Sequence, residues 1–72
     1  MDTYAAFKQR SDALRLTNYL RDIKIVSTVM NNPNRGGGSC GLCVLFDGRF
    51  ETTVRRIITD RNLRSFYGFF KK

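Results

Sequence analysis

The window NNPNRGGGSCGLCVLF, residues 31–46, gathers the groups of this chain best suited to chemistry: its proline, three consecutive glycines and both cysteines. Four chemistries use such parts. A glycine-rich loop can grip phosphate, a Cys-x-x-Cys pair can exchange with a disulfide, thiolates can bind zinc, and a turn can present one reactive thiol. Gly36, Gly38 and Gly41 match the letters of G-x-G-x-x-G. That fingerprint needs a helix after it, because the helix N-terminus meets the pyrophosphate. Here CVLF follows, which reads as a strand, and the window holds no P-loop lysine. The loop is therefore expected to be a turn and not a nucleotide cradle, and no cofactor is expected.

The Cys40–Cys43 pair fails on geometry if residues 40–43 are extended. Residues three apart on a strand lie about 10 Å apart and face opposite sides, whereas a disulfide needs Cα atoms within about 7 Å. A dithiol switch would need a tight turn at Gly41. Structural zinc usually takes four Cys or His ligands; this chain has two thiols and no histidine, so no metal is expected. What remains is a single presented thiol. Cys40 follows Gly38 and Ser39 and precedes Gly41. Glycine permits positive φ and leaves backbone N–H groups uncovered, so such a turn can form an anion-accepting concavity for a thiolate or persulfide. Cys43, between Leu42 and Val44, reads as a small buried apolar filler, a secondary and structural thiol.

The elements that must position Cys40 follow from periodicity. TYAAFK (3–8) reads as a strand. In QRSDALRLTNYLRDI (9–23), Ala13, Leu16, Leu20 and Ile23 recur at helical spacing, with Ser11 or Asp12 expected at the N-cap. KIVSTVMN (24–31) is β-branched and reads as a second strand, and NNPNRGGGS (31–39) as a loop. CGLCVLF (40–46) reads as a central strand, apolar on both faces in its later half. Asp47-Gly48 is expected to turn the chain into an amphipathic helix over 49–62, with Phe50, Val54, Ile57 and Ile58 on one side. LRSFYGFFKK (63–72) reads as a last aromatic strand. The order βαββαβ over one domain, residues 1–72, suits an α+β ferredoxin-like fold: a four-stranded antiparallel sheet with two helices on one face. In that topology the hairpin between the second and third strands lies at the same end as the link from the first strand into the first helix. Lys8, Arg10 and the helix N-terminus would then lie near Cys40, with Arg35 in the loop, and each would lower the thiol pKa or offer a docking surface.

The totals narrow the class. Lys and Arg number 13 against 6 Asp and Glu, a net charge of +7, which raises the prospect of an anionic partner. The absence of histidine removes the commonest general base. No apolar run reaches the roughly 20 residues of a membrane helix, and MDTYAAFKQR does not read as a signal peptide, so the expected location is the cytoplasm and no membrane partner is expected.

A short first strand leading to FKQRSDALRLTNYLRD, then IKIVSTVMNNP, a glycine-rich turn, SCGLCVLF and a closing FYGFFK resembles the selenium/sulfur carrier-like family. The mark of that family is a Cys-Gly pair that follows a proline-containing loop and leads into a strand. The resemblance covers nearly the whole chain. It implies that Cys40 is the carrier cysteine and Gly41 its partner, with Pro33 in the place of the loop proline. Cys43 falls where the family more often has an ordinary strand residue and inherits no role. The triple glycine and the basic balance look peculiar to this chain.

Three readings follow. In the first, Cys40 accepts sulfur or selenium as a persulfide or selenopersulfide from a donor protein and passes it to an acceptor protein, at most a sulfurtransferase-like activity. Gly38, Ser39 and Gly41 shape its turn; Lys8, Arg10 and Arg35 activate or dock. In the second, the same element order serves a basic RRM-like nucleic-acid-binding module that stacks bases on aromatics of an open sheet face, with Tyr4, Phe7, Phe46, Tyr67, Phe69 and Phe70 as candidates. In the third, the exposed sheet face serves a non-catalytic dimerisation or interaction domain. A homodimer is compatible with all three. The first fits the window best.

Overall fold

Apolar residues at i, i+3 and i+7 make one stripe on the first helix, where Ala13, Leu16 and Leu20 are all fully buried. A second stripe, Val54 and Ile58, is buried on the other helix. Two such stripes need a sheet to cover. The computed structural model, which describes residues 1–31 and 42–71, supplies one. Its elements are β1 (Thr3–Phe7), α1 (Arg10–Asp22), β2 (Ser27–Asn31), β3 (Leu42–Phe46), a 3₁₀ turn (Gly48–Phe50), α2 (Glu51–Asp60) and β4 (Phe66–Lys71). The sheet order is β2-β3-β1-β4, and every neighbouring pair is antiparallel. This is the ferredoxin-like α+β arrangement expected from the element order. No helix among the described residues is long and apolar enough to cross a membrane.

Central and edge strands differ as their sequences do. Every residue of β1 is buried, as are Cys43 to Phe46 of β3, whereas β2 and β4 at the edges are only partly covered. Alternation sorts the side chains. Ala5, Phe7, Val44 and Phe46 pack with the helix stripes and Leu63 in the main core. Tyr4, Ala6, Cys43 and Leu45 form a second cluster with Met30 and Phe70 on the opposite face, to which, among the described residues, only strands contribute. Aromatic rings bind β4 to the main core: Phe66 lies 5.6 Å from Phe7 and 4.9 Å from Phe69, and Phe69 meets Phe46 edge-on at 5.9 Å.

The helix ends correct the sequence expectation. The N-cap of α1 is Gln9, without a side-chain cap bond, and not Ser11 or Asp12. Asp12 turns instead to a tertiary partner: its carboxylate accepts from Ser65 N at 3.0 Å and Ser65 Oγ at 2.6 Å. Ser65 Oγ also accepts from Gln9 N at 3.1 Å, and Ser65 O accepts from Lys8 N at 3.0 Å. One serine thus clasps the β1–α1 link to the segment before β4.

At its other end α1 closes with a Schellman motif. Ile25 N donates to Leu20 O and Lys24 N to Arg21 O, with Lys24 in the left-handed region at φ 65°. This cap takes residues 24–26 out of the expected strand, so β2 begins at Ser27. The end of α2 repeats the device with Asn62 at φ 58° and bonds from Leu63 N to Ile58 O and Asn62 N to Thr59 O. The expected Asp47-Gly48 turn is a capped 3₁₀ turn, in which Asp47 Oδ1 accepts from Arg49 N at 3.0 Å.

Candidate functional site

Sheet register locates the site. Leu42 pairs with Asn31 on one side and with Phe7 on the other, and Phe7 pairs onward with Phe66. The residues that flank segment 32–41 therefore sit in the row of the sheet that ends β1. Lys8 and Arg10, both exposed, come immediately after that row, and Arg10 opens α1. The Nζ of Lys8 lies 6.0 Å over the ring of Tyr67. Cys40, Gly38, Ser39, Gly41 and Arg35 lie outside the described residues.

Sequence reasoning missed Arg64. It neighbours Ser65, whose bonds to Lys8, Gln9 and Asp12 carry it to the same end of the molecule. No local signal finds it, because the Gln9–Ser65 bond joins residues 56 apart. The carboxylate held within this group is Asp12, 8% exposed, with Arg15 4.0 Å away.

Cys43 faces the other way. It is fully buried, packed with Tyr4, Ala6 and Leu45, and its Sγ donates to Asn31 O at 3.7 Å. Burial raises its pKa above the ordinary value of 9.0, because a thiolate there would lose its hydration. A neutral, enclosed thiol is a poor nucleophile. The raised folded-state pKa also has a sign. The contribution of Cys43 to stability is fully present below pH 9.0, where it is protonated both folded and unfolded. It is lost as pH rises towards the folded value, because the unfolded chain ionises first. Urea unfolding at pH 8 and pH 10.5 is expected to show a smaller loss of stability on alkalinisation in Cys43→Ala than in the parent chain. Equal losses would place the thiol in water.

Two other chemistries lose their geometry. After residue 41 the chain continues as β3, so no helix N-terminus follows the glycines to meet a pyrophosphate. The sheet face opposite the helices, expected to be open, is covered along its central strands: Tyr4 is 3% exposed, Leu45 7%, and Ala6 and Cys43 are inaccessible. Of the six aromatics considered for base stacking, Phe7 and Phe46 lie in the helix-covered core, Phe69 and Phe70 are half-buried, and only Tyr67 is exposed. An RRM-type platform needs rings that bases can reach. Among the described residues, no three His, Cys, Asp or Glu side chains gather where they could hold a metal ion.

No curated protein and no solved structure matches the chain. Residues 2–67, from the start of the fold into β4, match the protein family described as "Putative Se/S carrier protein-like". With its α+β sheet and its Cys-Gly pair in the segment that joins β2 to β3, the chain belongs to this selenium/sulfur carrier-like family.

Proposed function

We propose that the protein carries sulfur or selenium between proteins on the thiol of Cys40. The observation that carries this reading is the sheet register: segment 32–41, which contains Cys40, leaves and rejoins the sheet beside Phe7, next to Lys8, Arg10 and the first turn of α1. Cations and helix amide groups favour a thiolate over a thiol, and the thiolate is the nucleophile. Gly38, Ser39 and Gly41 supply the turn, Lys8, Arg10 and Arg35 the positive field.

The step balances without an oxidant or reductant. The Cys40 thiolate attacks the outer sulfur of a donor protein's persulfide. A new S–S bond forms at Cys40, the donor's S–S bond breaks, and the electron pair leaves with the donor's thiolate. The proton on the terminal sulfur travels with it. A selenopersulfide forms in the same way when the outer atom is selenium. Delivery is the reverse step towards an acceptor thiolate. Cys43 takes no part.

The rate of alkylation of Cys40 against pH tests this directly. Its apparent pKa is expected to fall below about 8.5, the value of free cysteine. In Lys8→Gln/Arg10→Gln that pKa is expected to rise. A value at or above 8.5 that the double substitution does not move would remove the electrostatic basis of the proposal.

A further inference from the structure

We infer that Lys8, Arg10 and Arg64 form the docking surface for an acidic segment of a partner protein. The purpose of this surface rests on the carrier reading, since a carrier must touch both donor and acceptor. Its geometry does not. Ser65 pins the strand-to-helix link to the segment before β4 through four hydrogen bonds, from Lys8 N and Gln9 N and to the Asp12 carboxylate. Three cations from remote parts of the chain thereby share one rim.

Among the described residues, the charge there has no ion-pair partner. Asp12 is buried, accepts both donors of Ser65, and has Arg15 beside it. None of Lys8, Arg10 and Arg64 is ion-paired with a described carboxylate, and Arg64 Nε is held by the neutral amide of Asn62 at 3.2 Å. Three other arginines are engaged. Arg49 pairs with Asp47 at 3.2 Å and Arg55 with Glu51 at 3.4 Å, while Arg61 lies 4.7 Å over Tyr19. Two exposed apolar side chains adjoin the rim: Leu14, 48% exposed, one turn along α1 from Arg10, and Tyr67, 43% exposed, under Lys8. Arginine and tyrosine beside an apolar anchor make the kind of surface on which protein contacts concentrate their energy. Charge complementarity then asks for carboxylates in the partner. A protein suits the rim better than a nucleic acid, because, of the rings on the sheet face opposite the helices, Tyr4 is buried and Phe70 half-buried, which leaves Tyr67 alone to stack a base.

The probe is a labelled synthetic peptide rich in Asp and Glu that carries one Leu and one Phe, with its Asn/Gln counterpart as control, at low salt. Lys8→Gln/Arg10→Gln/Arg64→Gln is expected to weaken binding of the acidic peptide about tenfold. Arg21→Gln/Lys24→Gln/Arg56→Gln removes the same charge from elsewhere. Arg21 and Lys24 are at the far end of α1, about 20 Å along its axis, and this variant is expected to change the affinity less than about twofold. Equal weakening in the two triple variants would show attraction by net charge alone and overturn the inference. So would tighter binding of a single-stranded oligonucleotide than of the peptide, lost in the first variant. Cys40→Ser is expected to bind the peptide as the parent does. Rim binding without sulfur loading at Cys40 would sink the carrier reading and leave the rim standing. Loading with no rim selectivity would do the opposite.

Discussion

Cys40→Ser is expected to abolish sulfur uptake, while Cys43→Ala leaves it intact. After incubation with a persulfide donor, the parent chain should gain the mass of one sulfur atom and lose it again on reduction. The expected loss in Cys40→Ser is complete, because a serine hydroxyl is not ionised near neutral pH and cannot form a persulfide bond. Cys43 cannot substitute. It lies on the sheet face away from the helices, fully buried, with its thiol held neutral. Serine differs from cysteine by a single side-chain atom, so the substitution should leave the thermal midpoint within a few degrees of the parent. Persistent uptake by Cys40→Ser, or uptake lost only with Cys43, would end the proposal.

Phe46→Ala carries the largest expected cost in stability, about 3–5 kcal/mol. Phe46 is fully buried, pairs with Thr3 and Ser27 in neighbouring strands, and meets the edge of Phe69. A chain of 72 residues is expected to hold roughly 4–10 kcal/mol in total. The substitution therefore removes about a third of it or more and lowers the melting temperature by roughly 12 °C or more. Phe70→Ala is the comparison. Phe70 is half-buried and stacks on Tyr4 at 5.6 Å on the other face, so its loss should cost about 1–2 kcal/mol. Urea midpoints at unchanged m-value measure both. A cost under about 1.5 kcal/mol for Phe46→Ala would contradict the central place of β3. The two predictions are linked, since the row that brings Asn31, Leu42 and Phe7 together depends on β3 keeping its register.

Much of this was legible before any coordinates. Helical spacing gave α1 through Ala13, Leu16 and Leu20, and the β-branched and apolar runs gave β2 and β3, because those periods are local. Misses occurred where a distant partner outbid a local rule. Asp12 has the chemistry of an N-cap, yet two donors on Ser65 give its carboxylate better partners. Lys24 carries no sign of a left-handed cap; the burial of Leu20 and Leu63 against the sheet ends both helices where it does. The second sheet face was expected to be open because two helices can cover only one; its central residues on β1 and β3 are buried, and exposure is confined to the edge strands.

By itself, then, the sequence determined the element order and topology, the family, and the type of chemistry on offer: a glycine-flanked thiol in a basic chain without histidine. Those depend on residue identity and on spacing along the chain. The tertiary structure alone decided which charges meet. Arg64 joins Lys8 and Arg10 because a serine 56 residues from Gln9 satisfies donors and acceptors that its own neighbourhood leaves unpaired, and no periodicity encodes a bond of that length.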